Sequence, residues 1–191
     1  MRLRRGVAGL LLALVGCSDA EPIGIHVKVA ADGTAVVTCR SLHLSSDAGP
    51  MEAGSRGIEW QERAVLFASR GRVADLNELR LLDVEVRRTG PTSLRLSFPR
   101  GPDVKWHAAL APSAEGRSAA AAALDPSQPS TSVGDTIRIE VETDSEVTAA
   151  GHAPIARMVK SEKDGTRALL WIPVATARES GEPIVFDVVW R

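Results

Sequence analysis

The chain of 191 residues has no tyrosine, one asparagine (Asn77), two cysteines, and four lysines among its 23 basic residues. Two cysteines exclude a fold built on disulfides. A net charge of −1 leaves no basic excess for nucleic acid, so that class of partner is excluded. No apolar run reaches the ~20 residues that a bilayer-spanning helix needs. With 44% hydrophobic and 25% charged residues of both signs, the composition is too apolar and too evenly charged for disorder. One domain with a core of its own is the expectation at this length. Aromatic residues are only 4%, so that core must be mainly aliphatic. The preference for arginine over lysine reads as the codon bias of a GC-rich genome, not as function.

The N-terminus carries the most specific signal. Arg2, Arg4 and Arg5 precede an apolar run, Val7 to Val15, interrupted only by Gly9. A basic start followed by a short apolar stretch has the shape of a secretory signal. The run ends in Leu14-Val15-Gly16-Cys17: an aliphatic residue, a small residue, then cysteine. Over residues 1–19 the chain resembles bacterial lipoproteins.

That resemblance implies a signal peptide of residues 1–16, cut between Gly16 and Cys17. It implies diacylglycerol on the Cys17 thiol and an acyl chain such as palmitate on the new amine. Each buried CH2 contributes about 0.8 kcal/mol, so several chains on one cysteine anchor stably. The implied address is the bacterial cell envelope, with the membrane as partner through the lipid. In enteric bacteria an Asp directly after the cysteine of such lipoproteins favours the inner membrane. Ser18 stands there instead, so the outer membrane is favoured if the cell has two. Loss of the three arginines leaves 20 basic against 24 acidic residues, a mature net charge of −4. Cys39 is then the sole thiol outside the anchor.

After a tether at 17–22 the pattern becomes that of strands. Ile23, Ile25, Val27 and Val29 alternate with Gly24, His26, Lys28 and Ala30, a period of two. Ala31-Asp32-Gly33 turns the chain, and Thr34 to Leu44 returns. With Gly33 left-handed in a three-residue loop, Val29 pairs with Ala35, Val27 with Val37 and Ile25 with Cys39. A two-residue loop would place Arg40 and Thr38 on the apolar face. The pleat makes such a slip costly, so the first register is expected, with Cys39 buried.

Residues 45–57 suggest a loop or a short helix from Pro50, and 62–69 a strand bounded by Gly71. A short helix is expected at Val73, Leu76 and Leu79, with Asp75 at its start. Residues 83–88 and 94–98 form a hairpin turned by Gly90-Pro91. One helical turn after Gly101-Pro102-Asp103 carries Trp106 and Leu110. Strands are expected at 136–142, 155–161, 167–174 and 183–191, with a turn at Lys163-Asp164-Gly165. The fold class is therefore α+β, mainly antiparallel β with one to three short helices. Residues 23–111 form an α+β sheet region and 134–191 a β-rich region of the same domain. Between them, 112–133 is a flexible Ala/Ser/Pro-rich loop.

Motifs that carry chemistry are scarce. The four histidines, His26, His43, His107 and His152, show no metal-ligand spacing, and no C-x-x-C, nucleophile elbow or phosphate loop occurs. Neither a metal nor a cofactor is expected, and no catalytic residue is assigned. Glu140 and Glu142 read as a solvated strand face. The unusual stretch is Gly151-His152-Ala153-Pro154. It interrupts the strands, and a proline extends the residue before it. His152 at the tip of this loop, with Trp171 in the following strand, is the place for a ligand or partner. The expected function is a non-enzymatic, lipid-anchored envelope protein acting as an interaction or structural module, with another envelope protein as a possible partner. Two alternatives are a carrier of small apolar ligands and a hydrolase with a dispersed site.

Overall fold

A computed structural model describes residues 23–43, 65–79, 81–111, 118 and 134–191. The signal peptide and tether, the 45–57 expectation and nearly all of 112–133 lie outside the described residues, as do Gly16 and Cys17. Ten strands are described: β1 (Gly24–Val29), β2 (Ala35–His43), β3 (Val65–Val73), β4 (Glu85–Gly90), β5 (Ser93–Arg100), β6 (Thr136–Thr143), β7 (Val147–Ala153), β8 (Lys160–Asp164), β9 (Arg167–Pro173) and β10 (Gly181–Trp190). Two short helices join them, α1 (Lys105–Leu110) and α2 (Val174–Arg178), with a 3-10 turn at Leu76–Glu78.

The strands form a six-stranded sheet, in the order β3-β2-β1-β6-β9-β8, and a four-stranded sheet, β4-β5-β10-β7. Every pairing is antiparallel except β1 with β6. The fold is thus α+β and mainly antiparallel. Strands from both sides of 112–133 share both sheets: β6 lies beside β1, and β10 beside β5.

Alternation decides which face each strand buries. Ile25, Val27 and Val29 of β1, Ile137, Ile139 and Val141 of β6, and Leu170 and Ile172 of β9 face inward from the larger sheet. Leu94, Leu96 and Phe98 of β5 and Ile184, Phe186 and Val188 of β10 face inward from the smaller one. All belong to one core, with both apolar sheet faces turned to it. The β1–β2 register is Ile25 to Cys39, Val27 to Val37 and Val29 to Ala35, as the pleat argument requires. Gly33 turns the hairpin at φ +85°, and Cys39 is buried.

Helix α1 adds Trp106 and Leu110 to the core. Trp106 is buried, packs against Phe98 at a ring-centroid distance of 5.1 Å, and donates its indole N–H to the Pro99 carbonyl. Val104, the residue before α1, caps nothing with its side chain. Asp83 does so from a distance, accepting from the backbone N–H groups of Lys105 (2.7 Å) and Trp106 (2.9 Å). Asp75 caps the 3-10 turn through the N–H of Asn77.

Gly24 marks where the first strand enters. A Cβ there would lie 2.1 Å from the Arg138 carbonyl oxygen. The β1–β6 backbones come this close because the Ile23 carbonyl accepts from the Arg138 N–H at 3.1 Å. Only glycine fits.

Strand boundaries shift by one to three residues at several ends, and by four or more at two. β3 runs through Gly71 to Val73, because Ala35, Val36 and Val37 continue to pair with it there. β8 begins at Lys160, not at Ile155. Ile155 to Val159 form a loop after the cis Ala153–Pro154 bond, with Met158 at φ +60°. Ile155 points into solvent, while Val159 is buried.

Candidate functional site

The charged side chains that come together do so on the outer face of the six-stranded sheet. β1 sends His26 and Lys28 outward, β6 sends Arg138, Glu140 and Glu142, and the β8–β9 hairpin adds Asp164 and Arg167. The positions in β1, β6 and β9 follow from parity, since each alternates with a buried residue of the same strand, and Asp164 is placed by its pairing with Arg167.

Glu142 is the hub. Its Oε1 accepts from Lys28 Nζ at 2.5 Å and its Oε2 lies 3.0 Å from His26 Nε2. The Lys28 hydrogen bond comes first among the causes that hold the Glu142 carboxyl below its usual range, and the same bond raises Lys28. Beside it, Arg138 Nη2 pairs with Glu140 Oε2 at 2.9 Å, at only 12% and 13% exposure. Arg167 approaches Glu140 at 4.0 Å and pairs with Asp164, whose hydrogen bond raises the guanidinium further. The expectation that Glu140 and Glu142 form a plain solvated face is therefore corrected. They are half-buried or deeper and engaged by cations from three strands.

One potential ligand atom each from His26, Glu140 and Glu142 lie within 4.8 Å of one another. The donor types suit a divalent metal. Lys28 and Arg138 already neutralise both carboxylates, so a cation would have to displace two ion pairs to bind. As it stands, the cluster is an inter-strand clamp across β1, β6 and β9. It also places an imidazole within hydrogen-bond distance of a carboxylate, which the hydrolase alternative requires. In that pair the carboxylate is shared with Lys28.

The predicted site pair, His152 and Trp171, does not come together. His152 is not at a loop tip. It lies within β7, opposite Phe186 of β10, whose side chain is in the core. The strand continues through Gly151 because β10 keeps pairing with it, and Pro154 falls just past its end. His152 Nδ1 shares a 2.8 Å hydrogen bond with Ser161 Oγ of β8, while its Nε2 is buried with no hydrogen-bond partner. Ser161 pairs with Leu170, an inward residue, so its side chain shares that inward parity. Trp171 is one residue further along β9 and has the opposite parity, on the outer face.

His152–Ser161 is a bridge between the two sheets. Beside it, the Val147 N–H donates to the Gly165 carbonyl at 2.9 Å and Lys163 Nζ reaches the Val147 carbonyl at 3.4 Å. Together they join the edge β7 of one sheet to the edge β8 of the other. Of the remaining histidines, His107 is buried in α1 and donates from Nε2 to the Gly101 carbonyl at 2.8 Å. His43 lies in β2, and its side chain is outside the described residues. Cys39 is a core thiol, and burial pushes its pKa up to about 12.

The His26–Glu142 contact escaped sequence reasoning. Both residues sat on polar strand faces, which was legible. The parallel pairing that brings them together, 116 residues apart, was not.

No protein-family model matches the chain. No curated protein matches it either. Among solved structures, it is similar to the folded domain of the LppM protein of Mycobacterium tuberculosis, determined by NMR. That likeness covers 88% of each chain at 9% identity, with a TM-score of 0.45.

Proposed function

We propose that the chain is a bacterial lipoprotein. In this reading it is held to the envelope through a lipid on Cys17, and its β domain works by contact with another envelope component and not by catalysis. The observation that carries the reading is Leu14-Val15-Gly16-Cys17 behind a basic and then apolar start. The domain follows closely: β1 begins at Gly24, seven residues after the cysteine. In a cell with two membranes, Ser18 directly after the cysteine favours the outer one.

The non-catalytic part is supported by how the acid–base groups are used. His26 and Glu142 share their interaction with Lys28, His107 is held by a backbone carbonyl, and His152 ties one sheet edge to the other. Each has a structural occupation. Among the described residues β3 and β4 end the strand order of their sheets, and such edges are where a partner strand can add.

The test is the intact mass of the protein extracted from membranes, with Cys17→Ser alongside. The expected result is a chain beginning at Cys17 with a diacylglycerol-sized increase, absent from the variant. A native chain cut elsewhere and free of lipid would overturn the anchor. Capture from intact envelopes then tests the contact: a domain that retains no defined component would overturn the interaction role.

A further inference from the structure

Three large hydrophobic side chains stand exposed among the described residues: Ile155 at 96%, Met158 at 67% and Val189 at 38%. The two most exposed share one short loop, Pro154 to Val159, between β7 and β8. The loop is held in place from below. Val159 is buried, its N–H donates to the Ala156 carbonyl at 3.2 Å, and Thr176 of α2 donates its hydroxyl to the Arg157 carbonyl at 2.9 Å. Ile155 and Met158 are thus presented to solvent by a fixed backbone. Arg157 and Lys160 beside them are also exposed, and residues 154–160 contain no acidic side chain.

The register places this loop at a definite end of the molecule. Gly24 pairs with Arg138, Arg138 with Trp171, and Trp171 with Lys160. This single row crosses four strands, so the first residue of β1 and the first of β8 are three inter-strand spacings apart, about 14 Å. Cys17 is separated from Ile23 by the five residues 18–22. Six residue steps reach at most about 20 Å. A lipid on Cys17 and the tip of the loop can therefore meet the same flat surface.

From this we infer that the Pro154–Lys160 loop is a second membrane contact, with Ile155 and Met158 entering the headgroup–acyl boundary and Arg157 and Lys160 on lipid phosphates. The inference rests on the lipid-anchor reading. Two apolar side chains and two cations would hold a free protein only weakly. The tether changes that, because it makes the contact intramolecular and holds the loop at high effective concentration. The consequence is orientation: the Gly24 end faces the bilayer and the β1–β2 and β6–β7 turns face away.

The test uses the full lipidated chain in vesicles of phosphatidylcholine and phosphatidylglycerol. An environment-sensitive fluorophore is placed by Met158→Cys or Ile155→Cys, and by Glu146→Cys in the turn at the opposite end. Cys39 is buried and stays unlabelled. The expected result is a blue shift, and quenching by brominated acyl chains, at 155 and 158 but not at 146. If the chain is retained on vesicles and 155 and 158 respond as 146 does, the loop contact is refuted while the anchor stands. If the native chain and Cys17→Ser fractionate alike, without retention, the anchor falls and the loop contact falls with it.

Discussion

Gly24→Ala is the sharpest probe of the fold, because the clash it creates is with backbone. The new methyl carbon would sit 2.1 Å from the Arg138 carbonyl oxygen. An ordinary carbon–oxygen contact is about 3.3 Å, so one of two central strands must move by roughly 1 Å. No side-chain rotation can relieve this. The movement also lengthens the Arg138 N–H to Ile23 carbonyl bond, now 3.1 Å. Overpacking of this kind costs about 1–3 kcal/mol, and a lost hydrogen bond about 1 kcal/mol more. The expected destabilisation is about 2–4 kcal/mol, or roughly 5–15 °C in Tm for a domain of this size. Removing glycine from an unstrained strand has the opposite sign, because it restricts the unfolded chain. Gly151→Ala supplies that control: a Cβ at Gly151 meets nothing within 4 Å. Urea unfolding of the two variants beside wild type decides the matter. A Gly24→Ala midpoint equal to that of Gly151→Ala would refute the close approach of β1 to β6.

Asp83→Ala removes two hydrogen bonds from the start of α1 and should cost about 1–2 kcal/mol in denaturant unfolding, with altered fluorescence from Trp106. Ser161→Ala takes the hydroxyl from His152 at the join between the sheets; a loss of about 1 kcal/mol is expected by the same measurement. Glu142→Gln should destabilise at pH 7. The folded carboxyl is held below its ordinary value of 4.5, so its contribution is present above that value and is lost as pH falls through the folded one. The gap between Glu142→Gln and wild type should therefore close in acid, as unfolding midpoints at pH 7 and pH 3 would show. Cys39, with its thiol pushed up to about 12, should resist iodoacetamide in the native protein and react on unfolding, read by mass.

What could be read from the sequence was local. The β1–β2 register followed from two facts, the pleat and the glycine: only one pairing puts Ile25, Val27 and Cys39 on the same face, and Gly33 supplies the left-handed turn. The 83–98 hairpin and the Trp106 turn had the same legibility, since each is a short segment whose apolar residues must share a side. Long-range association was not legible. Nothing in residues 23–29 says that β6, more than a hundred residues on, lies parallel beside them, and the Glu142 clamp exists only because of that pairing. Two local signals also misled. Gly151 and Pro154 read as a turn, yet pairing with β10 carries the strand through the glycine to Ala153. Residues 155–161 read as a strand, yet pairing with β9 begins only at Lys160, and Ile155 stands in solvent.

The position of the proposed anchor bears on how the domain would carry load. The proposed tether would join β1, and β1 is an interior strand with β2 on one side and β6 on the other. A pull from the membrane would run along β1 and act on both ladders in shear, so many hydrogen bonds share it. A tether on an edge strand such as β8 could peel its bonds in turn. The outer-face ion pairs strengthen the same place: Lys28 and His26 of β1 reach Glu142 of β6, and Arg138 of β6 packs beside the clash-prone Gly24. Glycine at 24 and the Glu142 clamp thus both hold β1, the strand on which the proposed tether would pull, to β6. This connects stability to attachment. A variant that loosens β1 from β6 should weaken the fold, and a domain pulled from its N-terminus in single-molecule force spectroscopy should unfold at lower force.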